Sequence, residues 1–528
     1  MCFLFAFQNP EHERAITDAL RQSLPDIEVS ASSEVQPEFR EFERFSTTVL
    51  NAYLQPVMAQ YMTDLDSGLK SAAPNASFGL NQSSGGLMSV GRAQRLPVRT
   101  ALSGPAAGVV GAAHVATAAQ RSDAITLDMG GTSADVALIR QARVPTGFSR
   151  EVGGFPIRMP MVDVETVGAG GGSVAWIDRD GLLKVGPKSM GADPGPACYG
   201  LGGTQSTVTD ANLLLGRLGE DGLLGGTMKL DKAAADSAFD TLAQSLDVSR
   251  LRAAQGVIDI VVANMVRAIR TISVERGHDP REYCLMPFGG AGPLHARDVA
   301  RNLGIQEILV PPAPGIICAH GLVVSDLLED FVDSGRIEVN AGNVEHIRQI
   351  LDSLSLQARK WFEQESILDH TRSIQLRLDM RDVGQNFELA VPLETTGNQV
   401  PELVVDDLQQ RFFRTHEGSY GYFNPDDPIE IINIRLTARG RLSPLADYRK
   451  LDPSDTAPVM AGERQVVFHS DNPVNCPVFE RSELRAGHIL TGPAVIAQLD
   501  ATTLLYPGDV GTVDESGTLL ITLTEDLN

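Results

Sequence analysis

The sequence predicts an α/β protein whose last third is rich in strands. Two short apolar runs, Ile125–Leu127 and Val136–Ile139, flank the glycine-containing turn Gly130–Ser133, as in a tight β-hairpin. Further along, another apolar run leads through the glycine-rich stretch Phe288–Pro293 into a helical pattern. From Ser373 onward, β-type patterning dominates. Together these patterns predict helices and strands in one α/β region, followed by a β-rich C-terminal region.

The turn between the two central apolar runs has the composition of an anion-binding site. Consecutive N–H groups in a glycine-rich turn converge on an anion, and the hydroxyls of Thr132 and Ser133 add donors. Asp128 and Asp135 bracket the turn, so one phosphate-sized pocket would hold both donors and carboxylates that position Mg²⁺. An ordinary hairpin with glycine for the turn and aspartate for solubility has the same composition. The hairpin alone does not decide between the two interpretations.

Composition excludes several classes of protein. A chain of 528 residues is too long for one core and predicts three or four structural units. The net charge of −23 without a basic cluster argues against nucleic acid as a partner. Five singly spaced cysteines argue against a zinc cluster and a disulfide scaffold, and no apolar stretch reaches the length of a membrane span. The start has no basic region of the signal-peptide type, so we expect a cytosolic protein without a membrane partner.

The segments before the hairpin predict a β-α-β opening and two longer helices. Cys2–Phe7 is a continuous apolar run typical of a buried strand, Glu11–Leu24 has helical spacing, and Ile27–Val35 has the pattern of a second strand. Thr47–Tyr61 also has helical spacing. The small-residue run Ala106–Ala119 predicts a helix that neighbouring backbone can approach closely.

The stretch after the hairpin contains a second set of candidate residues. Asp163 and Glu165 alternate on one face of a predicted strand, which leads into the glycine-rich loop Gly168–Gly172. Such a loop serves close backbone approach, either by a ligand or by another segment. We favour the ligand, with Gly170 and Gly171 contacting it.

A strand, a glycine loop and the start of a helix follow one another around Phe288. This arrangement presents free N–H groups and the positive end of a helix dipole to an anion or a ribose. We therefore expect Gly289, Gly290 and Gly292 to contact a nucleoside. His295, in the first turn of the helix, is a candidate for catalysis or metal binding, although a histidine without a chemical role also fits this position.

Four motifs around the hairpin resemble those of a known family. They are LSGPAAGVVGAAHVA (Leu102–Ala116), DVETVGAGGGSVAW (Asp163–Trp176), GADPGPACYGLGGTQSTVTDANLLLGRL (Gly191–Leu218) and FGGAGPLHA (Phe288–Ala296). In this order they resemble the hydantoinase/oxoprolinase family, specifically the A-type subunit of ATP-dependent hydantoinases and the matching half of 5-oxoprolinase. The resemblance runs from about Phe3 to about Gly508. Relatives begin with a further segment that carries a first Asp-x-Gly-Gly-Thr phosphate loop, and no such loop precedes Phe3.

The resemblance implies a fold and a division into domains. Two glycine-rich phosphate-type motifs in a mixed α/β region are similar to the actin, sugar-kinase and chaperone type of ATPase, in which two lobes clamp ATP. We expect a remnant of the family's N-terminal domain at residues 1–44, an ATPase domain at 45–335 and a β-rich domain at 345–528. By the same resemblance, the helix over Ala106–Ala119 would lie on the hinge side between two ATPase lobes; an ordinary core helix is the alternative.

The resemblance also implies an activity. An A-type subunit uses Mg·ATP to phosphorylate the carbonyl oxygen of a cyclic amide, which makes an unreactive ring susceptible to water. The glycines and hydroxyls of the hairpin turn would then hold phosphates, Asp128 would orient Mg²⁺ or its water, and Asp135 would act as a base. Because many relatives have His or Asn in place of Glu165, Asp163 and Glu165 become additional metal candidates that favour hard divalent ions.

A B-type partner is expected, because family members need it for ring opening. Two other interpretations stay open at this point. A subunit of an ATP-dependent ketone carboxylase shares the architecture and forms an enol-phosphate instead. A non-catalytic assembly subunit is the other, since the first phosphate loop is not found in this sequence.

Overall fold

The computed structural model describes residues 1–76, 78–395, 397–442, 450–469 and 472–524. Its α-helices are α1 (Glu11–Ser23), α2 (Ser32–Val35), α3 (Glu41–Ala72), α4 (Val90–Arg95), α5 (Ser103–Ala118), α6 (Val208–Leu214), α7 (Lys232–Leu246), α8 (Arg250–Ile272), α9 (Gly292–Leu303), α10 (Ile317–Val324), α11 (Val344–Gln364) and α12 (Val405–Tyr420). Its strands are β1 (Gly79–Asn81), β2 (Leu87–Ser89), β3 (Ala124–Met129), β4 (Ala134–Ile139), β5 (Thr146–Val152), β6 (Phe155–Val162), β7 (Val164–Val167), β8 (Ser173–Ile177), β9 (Leu183–Ser189), β10 (Cys284–Phe288), β11 (Glu307–Val310), β12 (Leu327–Glu338), β13 (Arg372–Asp382), β14 (Leu389–Leu393), β15 (Ile429–Gly440), β16 (Gly462–Val466), β17 (Val474–Glu480), β18 (Ile489–Thr491), β19 (Ala494–Ala497), β20 (Thr502–Leu505), β21 (Val510–Val513) and β22 (Leu519–Thr522).

The chain forms two compact units, each built from three separate segments. The first unit contains Met1–Ser103, Thr146–Met161 and Ser325–Pro444, and the second contains Gly104–Pro145, Val162–Val324 and Leu445–Asn528. This division differs from three consecutive domains at 1–44, 45–335 and 345–528. Strands distant in the sequence pair within one sheet, and local sequence patterns do not encode such pairing.

The first unit contains a six-stranded sheet in the order β1-β2-β12-β15-β13-β14. β15 lies between β12 and β13 and is antiparallel to both. The helices α11 and α12 pack against this sheet through side chains such as Leu351, Phe362 and Phe412. A second small core forms where Val35, Leu96 and residues of β6 meet. The β-rich region expected after Ser373 is therefore divided, with β13, β14 and β15 in this unit and β16 to β22 in the other.

The predicted β-α-β opening is wrong, although its helix forms as α1. Residues 2–7 make turns and Ser32–Val35 is the short helix α2. The backbone groups that a neighbouring strand would occupy bind side chains instead. The Phe3 amide donates to Glu13 at 2.9 Å, and the Phe3 carbonyl accepts from Arg44 at 3.0 Å. These polar contacts hold the segment without a sheet.

The predicted helix over Thr47–Tyr61 is confirmed, and it extends over the whole of α3. Its apolar side chains do not all face a core, however. Val49 is 63% exposed, Tyr53 79% and Val57 73%. Helical spacing of apolar residues identified the helix but not the environment of this face.

The second unit is organised around an eight-stranded sheet in the order β18-β21-β22-β11-β10-β3-β4-β7. β3, β10 and β11 are parallel, whereas β4 is antiparallel to β3 and β7. The helices α6 to α9 contribute to the large core on one face, and α5 lies in the core on the other. A four-stranded sheet, β16-β17-β19-β20, adds to the unit. This layering confirms the predicted mixed α/β fold class.

The glycines of α5 allow it to pack directly against α10. A side chain at Gly111 would lie 2.6 Å from the Ile317 carbonyl oxygen, and one at Gly321 would collide with the Ala107 carbonyl. The prediction of close backbone approach to this helix is therefore confirmed. Although α5 is strongly apolar, it has only 16 residues. No helix in the described part of the chain is both long and apolar enough to cross a membrane.

Candidate active site

The predicted hairpin is present, and its turn is exposed. β3 and β4 pair from Ala124↔Ile139 to Met129↔Ala134, so residues 130–133 form the connection. Asp128 lies directly opposite Asp135 in this register. Opposite residues of antiparallel strands point to the same face of the sheet, with Cβ atoms about 5 Å apart. The structure therefore places two carboxylates side by side next to an accessible glycine turn.

The fold itself does not require glycine in this turn. A methyl group added at Gly130 or Gly131 would have no heavy atom within 4 Å, and neither residue has a left-handed φ. The Gly130 amide donates to the Ser133 carbonyl at 3.1 Å, so it is not available to a ligand. Among the described contacts, the amides of Gly131 and Thr132 have no hydrogen-bond partner. The open space and the two amides leave room for a ligand to approach the backbone.

Asp128 is a largely buried carboxylate, and no described residue places a cation beside it. Burial raises its pKa to about 6, and the charge of Asp135 adds to the increase. The Cys318 thiol donates to Asp128 Oδ2 at 3.4 Å and counteracts part of this increase. Burial raises the pKa of Cys318 itself to about 12, so the thiol stays protonated and can donate. Asp135 accepts a hydrogen bond from the Thr166 hydroxyl.

The Phe288–Pro293 motif lies next to Asp128. β10 runs parallel to β3 with Phe288 paired to Asp128, and the Ala291 amide donates to the Met129 carbonyl at 3.0 Å. Gly289 has a φ of +74°, and a side chain there would collide with Asp128 Oδ1. The predicted strand, glycine loop and helix are thus confirmed. The loop itself adjoins the carboxylate pair.

The three glycines of this loop differ in what they can offer a ligand. Gly289 uses its amide to bind the Pro314 carbonyl at 2.9 Å. Gly292 is buried, and a side chain there would lie 3.0 Å from the Leu127 carbonyl oxygen. Gly290 is exposed. Close packing therefore explains why positions 289 and 292 are glycine. Gly290 remains accessible to a ligand such as a nucleoside.

The loop containing Gly170 and Gly171 approaches another segment, contrary to the preference for a ligand. Both glycines are buried. A side chain at Gly170 would lie 2.5 Å from the Thr132 backbone. The Gly171 amide donates to the Gly130 carbonyl at 3.0 Å, and the Gly172 amide donates to the Gly131 carbonyl at 2.7 Å. These residues therefore pack against the hairpin turn and bind its carbonyl groups.

The predicted metal set of Asp128, Asp163 and Glu165 does not come together. Thr166 pairs with Asp135 and bonds to it, so Glu165, one residue earlier in β7, points to the opposite face of the sheet. Asp163 forms an ion pair with Arg276. In the described ranges, no group of three His, Cys, Asp or Glu side chains is arranged to hold a metal. Asp128 and Asp135 remain as the carboxylate pair.

His295 is placed in the first turn of α9 as predicted, and its side chain is buried there. The side chain is 0% exposed, and its Nε2 lies 3.2 Å from Asn212 Nδ2. Burial, followed by the charge of Arg217, lowers the pKa of His295 to about 3, so the imidazole is neutral. This buried position beside Asn212 and Arg217 suits the alternative without a chemical role, and the catalytic or metal-binding role stays a prediction.

Two residues beside the site were missed by sequence analysis. Cys318 reaches Asp128 only because α10 crosses α5 at backbone distance. Asp500 accepts a hydrogen bond from the Gly315 amide at 2.7 Å, and its carbonyl oxygen would lie 3.5 Å from a side chain at Gly290. Asp500 lies in the sequence far from every glycine motif. No local pattern marks either residue.

Known proteins share this arrangement of elements. The signature of the family described as Hydantoinase/oxoprolinase matches residues 44–331. The caprolactamase alpha subunit of Pseudomonas jessenii is 35% identical over 528 residues, which cover 98% of this chain and 75% of that protein. The chain belongs to the hydantoinase/oxoprolinase family.

Other family members and a solved structure extend the comparison. The acetophenone carboxylase gamma subunit of Aromatoleum aromaticum is 30% identical over 96% of this chain and 71% of its own length. The 5-oxoprolinase of Saccharomyces cerevisiae is 31% identical over 97% of this chain, which spans only 40% of that protein. The crystal structure of ATP-dependent caprolactamase from Pseudomonas jessenii superposes with a TM-score of 0.88 at 33% identity, covering 99% of this chain and 76% of the other. The family's ATP dependence and amide hydrolysis thus belong to proteins of the same fold.

Proposed function

We propose that this chain is the ATP-using subunit of a hydrolase that opens cyclic amides. The observation that carries the proposal is the accessible turn at Gly131 and Thr132 beside the Asp128–Asp135 pair, next to the glycine loop before α9. Phosphates need backbone donors and a divalent ion, and these elements supply amide donors together with carboxylates that could hold such an ion. The names of the caprolactamase and 5-oxoprolinase relatives support a cyclic amide as the substrate class.

Mg²⁺ fits the residues that are present. Asp128 is largely shielded from solvent and has no cation beside it among the described residues, and Asp135 raises its pKa further, so a bound divalent cation would stabilise both carboxylates. Mg²⁺ is usually held by one or two carboxylates together with substrate phosphates, rather than by a cage of three protein ligands. The ion would neutralise charge on the transferred phosphoryl group. The absence of a three-residue cluster in the described ranges is consistent with this mode of binding.

The proposed reaction has three stages. The amide oxygen attacks the γ-phosphorus of ATP, a P–O bond forms, and the bond to ADP breaks. Water then adds to the activated carbon, the C–N bond breaks, and the amine takes up a proton. A second water hydrolyses the remaining acyl phosphate to a carboxylate and phosphate. In the first stage the amides of Gly131 and Thr132 would position the phosphates, and catalysis would depend on positioning and charge neutralisation.

We propose a B-type subunit as the partner in ring opening and the cytosol as the compartment. The caprolactamase and acetophenone carboxylase relatives are both named as subunits, which supports assembly with other chains. The five cysteines are all free thiols, which agrees with a reducing compartment.

A ketone carboxylase subunit is the second candidate. The acetophenone carboxylase gamma subunit aligns with 96% of this chain, and the chemistry of an enol-phosphate requires the same phosphoryl transfer. The hairpin would serve both reactions equally. Only the acceptor oxygen differs between a lactam and an enolate.

The first experiment measures ADP release by the chain assembled with a B-type subunit. Caprolactam, 5-oxoproline and hydantoin are compared with acetone or acetophenone plus bicarbonate. Stimulation by a lactam supports the amide hydrolase, whereas bicarbonate-dependent stimulation by a ketone supports the carboxylase. Asp128→Asn should lower turnover at least about a hundredfold, and Asp180→Asn, an exposed aspartate of the same unit, should not. Full turnover by Asp128→Asn would exclude the hairpin as the phosphate site.

The second experiment separates a ligand-binding glycine from a packing glycine. Gly131→Ala should leave the free energy of unfolding unchanged or increase it by up to about 1 kcal/mol, since nothing crowds the added methyl. The same change should weaken ATP binding measured by calorimetry. Gly170→Ala should destabilise the unit because its methyl meets the Thr132 backbone, and Gly462→Ala, also in open space, is the neutral control. Unchanged ATP affinity in Gly131→Ala would contradict the proposed role of the turn.

A further inference from the structure

A basic cleft lies on the second unit, beyond the end of β4 that is remote from the hairpin turn. Its volume is about 340 Å³. The residues that line it include Arg140, Arg143, Asp163, Ile272, Arg276 and His278. Asp135 and Arg140 are five residues apart on an extended chain, which corresponds to about 17 Å. The cleft is therefore separate from the carboxylate pair.

A tight turn brings two of the arginines together. The Arg143 amide donates to the Arg140 carbonyl at 2.8 Å, and the Arg140 amide donates to the Arg143 carbonyl at 3.2 Å. The two residues between them, Gln141 and Ala142, have left-handed φ values of 50° and 57°. Residues other than glycine rarely adopt this conformation, and it is retained mainly where the surroundings or a function require it.

The turn is anchored by the two residues directly before β3. The Gln141 amide donates to Asp123 Oδ1 at 3.0 Å, and the Ala142 amide donates to the Ser122 carbonyl at 2.7 Å. These bonds hold the strained backbone in place. As a result, Arg140 and Arg143 face each other as a bonded antiparallel pair at the edge of the cleft.

The other side of the cleft comes from the segment after α8. Arg276 forms an ion pair with Asp163, the one carboxylate among the described lining residues. His278 has its pKa lowered by burial and then by the charges of Arg140 and Arg276, although Glu282 acts in the opposite direction. Three arginines and one carboxylate therefore line the cleft, with Arg276 paired to Asp163 and Glu282 close to His278, in a protein whose net charge is −23.

We propose that this cleft binds a small multiply charged anion of the phosphate class, either inorganic phosphate or the phosphate group of a small ester. Guanidinium groups bind phosphate oxygens in pairs and retain their charge when partly desolvated. The volume suits a ligand at the lower end of the range for small-molecule pockets. The apolar side chains of Leu138 and Ile272 form part of the lining and limit access of water to the anion. The site is independent of the proposed ATP chemistry.

Titration calorimetry with inorganic phosphate and with glycerol phosphate tests the proposal in the absence of nucleotide. The wild-type chain should bind one or both in the millimolar range or tighter at physiological salt. Preference for glycerol phosphate over inorganic phosphate identifies an ester as the ligand, and equal affinity identifies phosphate alone. Arg143→Ala should weaken binding about tenfold, the effect of losing one charge-assisted hydrogen bond. Arg143→Lys should retain part of the affinity.

Two controls connect the binding to the cleft. Arg179→Ala removes an exposed arginine of the same unit that does not line the cleft, and it should leave the affinity unchanged. Asp128→Asn should retain the binding heat, which separates this site from the hairpin turn even if the proposed ATP chemistry is wrong. No binding by the wild-type chain, or equal weakening by Arg143→Ala and Arg179→Ala, would overturn the proposal. Unchanged melting temperatures of the variants show that folding is retained.

Discussion

Each unit buries a carboxylate, and the two carboxylates have opposite surroundings. In the first unit, Glu38 is 1% exposed and accepts hydrogen bonds from Arg435 at 2.6 and 2.8 Å and from Arg158 at 2.9 Å. These cations hold the pKa of Glu38 down at about 2 despite its burial. In the second unit, the Cys318 thiol is the one donor to Asp128 among the described residues, and burial raises the pKa of Asp128 to about 6.

The difference indicates which buried charge belongs to the fold and which is available for chemistry. A buried carboxylate with fixed guanidinium partners is already neutralised, so it has no remaining capacity for a ligand cation. A buried carboxylate without such a partner destabilises the folded chain, and binding of a cation beside it lowers that free-energy cost. Perturbed carboxylates of the second kind concentrate at functional sites. The contrast supports Asp128, rather than Glu38, as the residue that meets Mg·ATP.

The largest effect is expected when Glu38 is made to resemble Asp128. Arg435→Met removes the guanidinium that binds both Glu38 and Asp379, and leaves two buried carboxylates undercompensated. We expect a loss of about 3–5 kcal/mol in the free energy of unfolding, measured by urea denaturation. Arg439→Met, on the same strand and 40% exposed, is the matched control and should cost less than about 1 kcal/mol. Equal losses in the two variants would contradict the distinction.

The reverse change should stabilise the second unit. Asp128→Asn removes a charge that is unfavourable when buried, because the pKa of this residue is about 6 in the folded chain and 3.8 in the reference state. The gain at pH 8 should be at most about 3 kcal/mol, while ATP turnover is lost. Thermal unfolding of both proteins at pH 8 measures this gain. A destabilised Asp128→Asn variant would show that the carboxylate has a structural partner.

The two carboxylates should also respond to pH in opposite directions. Glu38 has a lowered pKa, so its contribution is complete above pH 4.5 and is lost as the pH falls towards about 2. Asp128 has a raised pKa, so its contribution is complete below pH 3.8 and is lost as the pH rises through about 6. The stability difference between wild type and Asp128→Asn should therefore shrink from pH 8 to pH 5. A constant difference would mean that Asp128 does not titrate in this range.

The smallest effect concerns the donor that Asp128 does have. Cys318→Ala removes the thiol hydrogen bond, which should raise the pKa of Asp128 further and cost about 1 kcal/mol above pH 6. Cys318→Ser keeps a donor and should lie between wild type and alanine. Chemical denaturation at pH 8 and pH 5 separates the two variants. A pH-independent loss would identify cavity formation, rather than the hydrogen bond, as the cause.

Short-range patterns were sufficient for much of the fold. The hairpin around Gly131 and the strand–glycine–helix passage at Gly289 both follow from spacing and from glycine chemistry. The prediction of a strand at Cys2–Phe7 was wrong, because an apolar run does not show whether a neighbouring strand is available to pair with it. Glu13 and Arg44 occupy the groups that a neighbouring strand would have used.

The candidate site depended more on long-range geometry. The face to which Glu165 points follows from its register against β4, and the burial of His295 follows from packing between α9 and Asn212. The contacts of Cys318 and Asp500 join segments 190 and 185 residues apart in sequence. Residue type and spacing identify candidates such as Asp128 and Asp135, but they do not show which of them share a face.

The position of β22 in the second unit has a consequence for biosynthesis. This strand, formed by residues 519–522, lies between β21 and β11, so β11 gains this neighbour only after residues 519–522 have been synthesised. Until then, the apolar edge at Ile308 and Val310 is exposed on the ribosome. Nascent chains halted before residue 519 should accordingly bind chaperones more strongly than chains halted after β22 has formed.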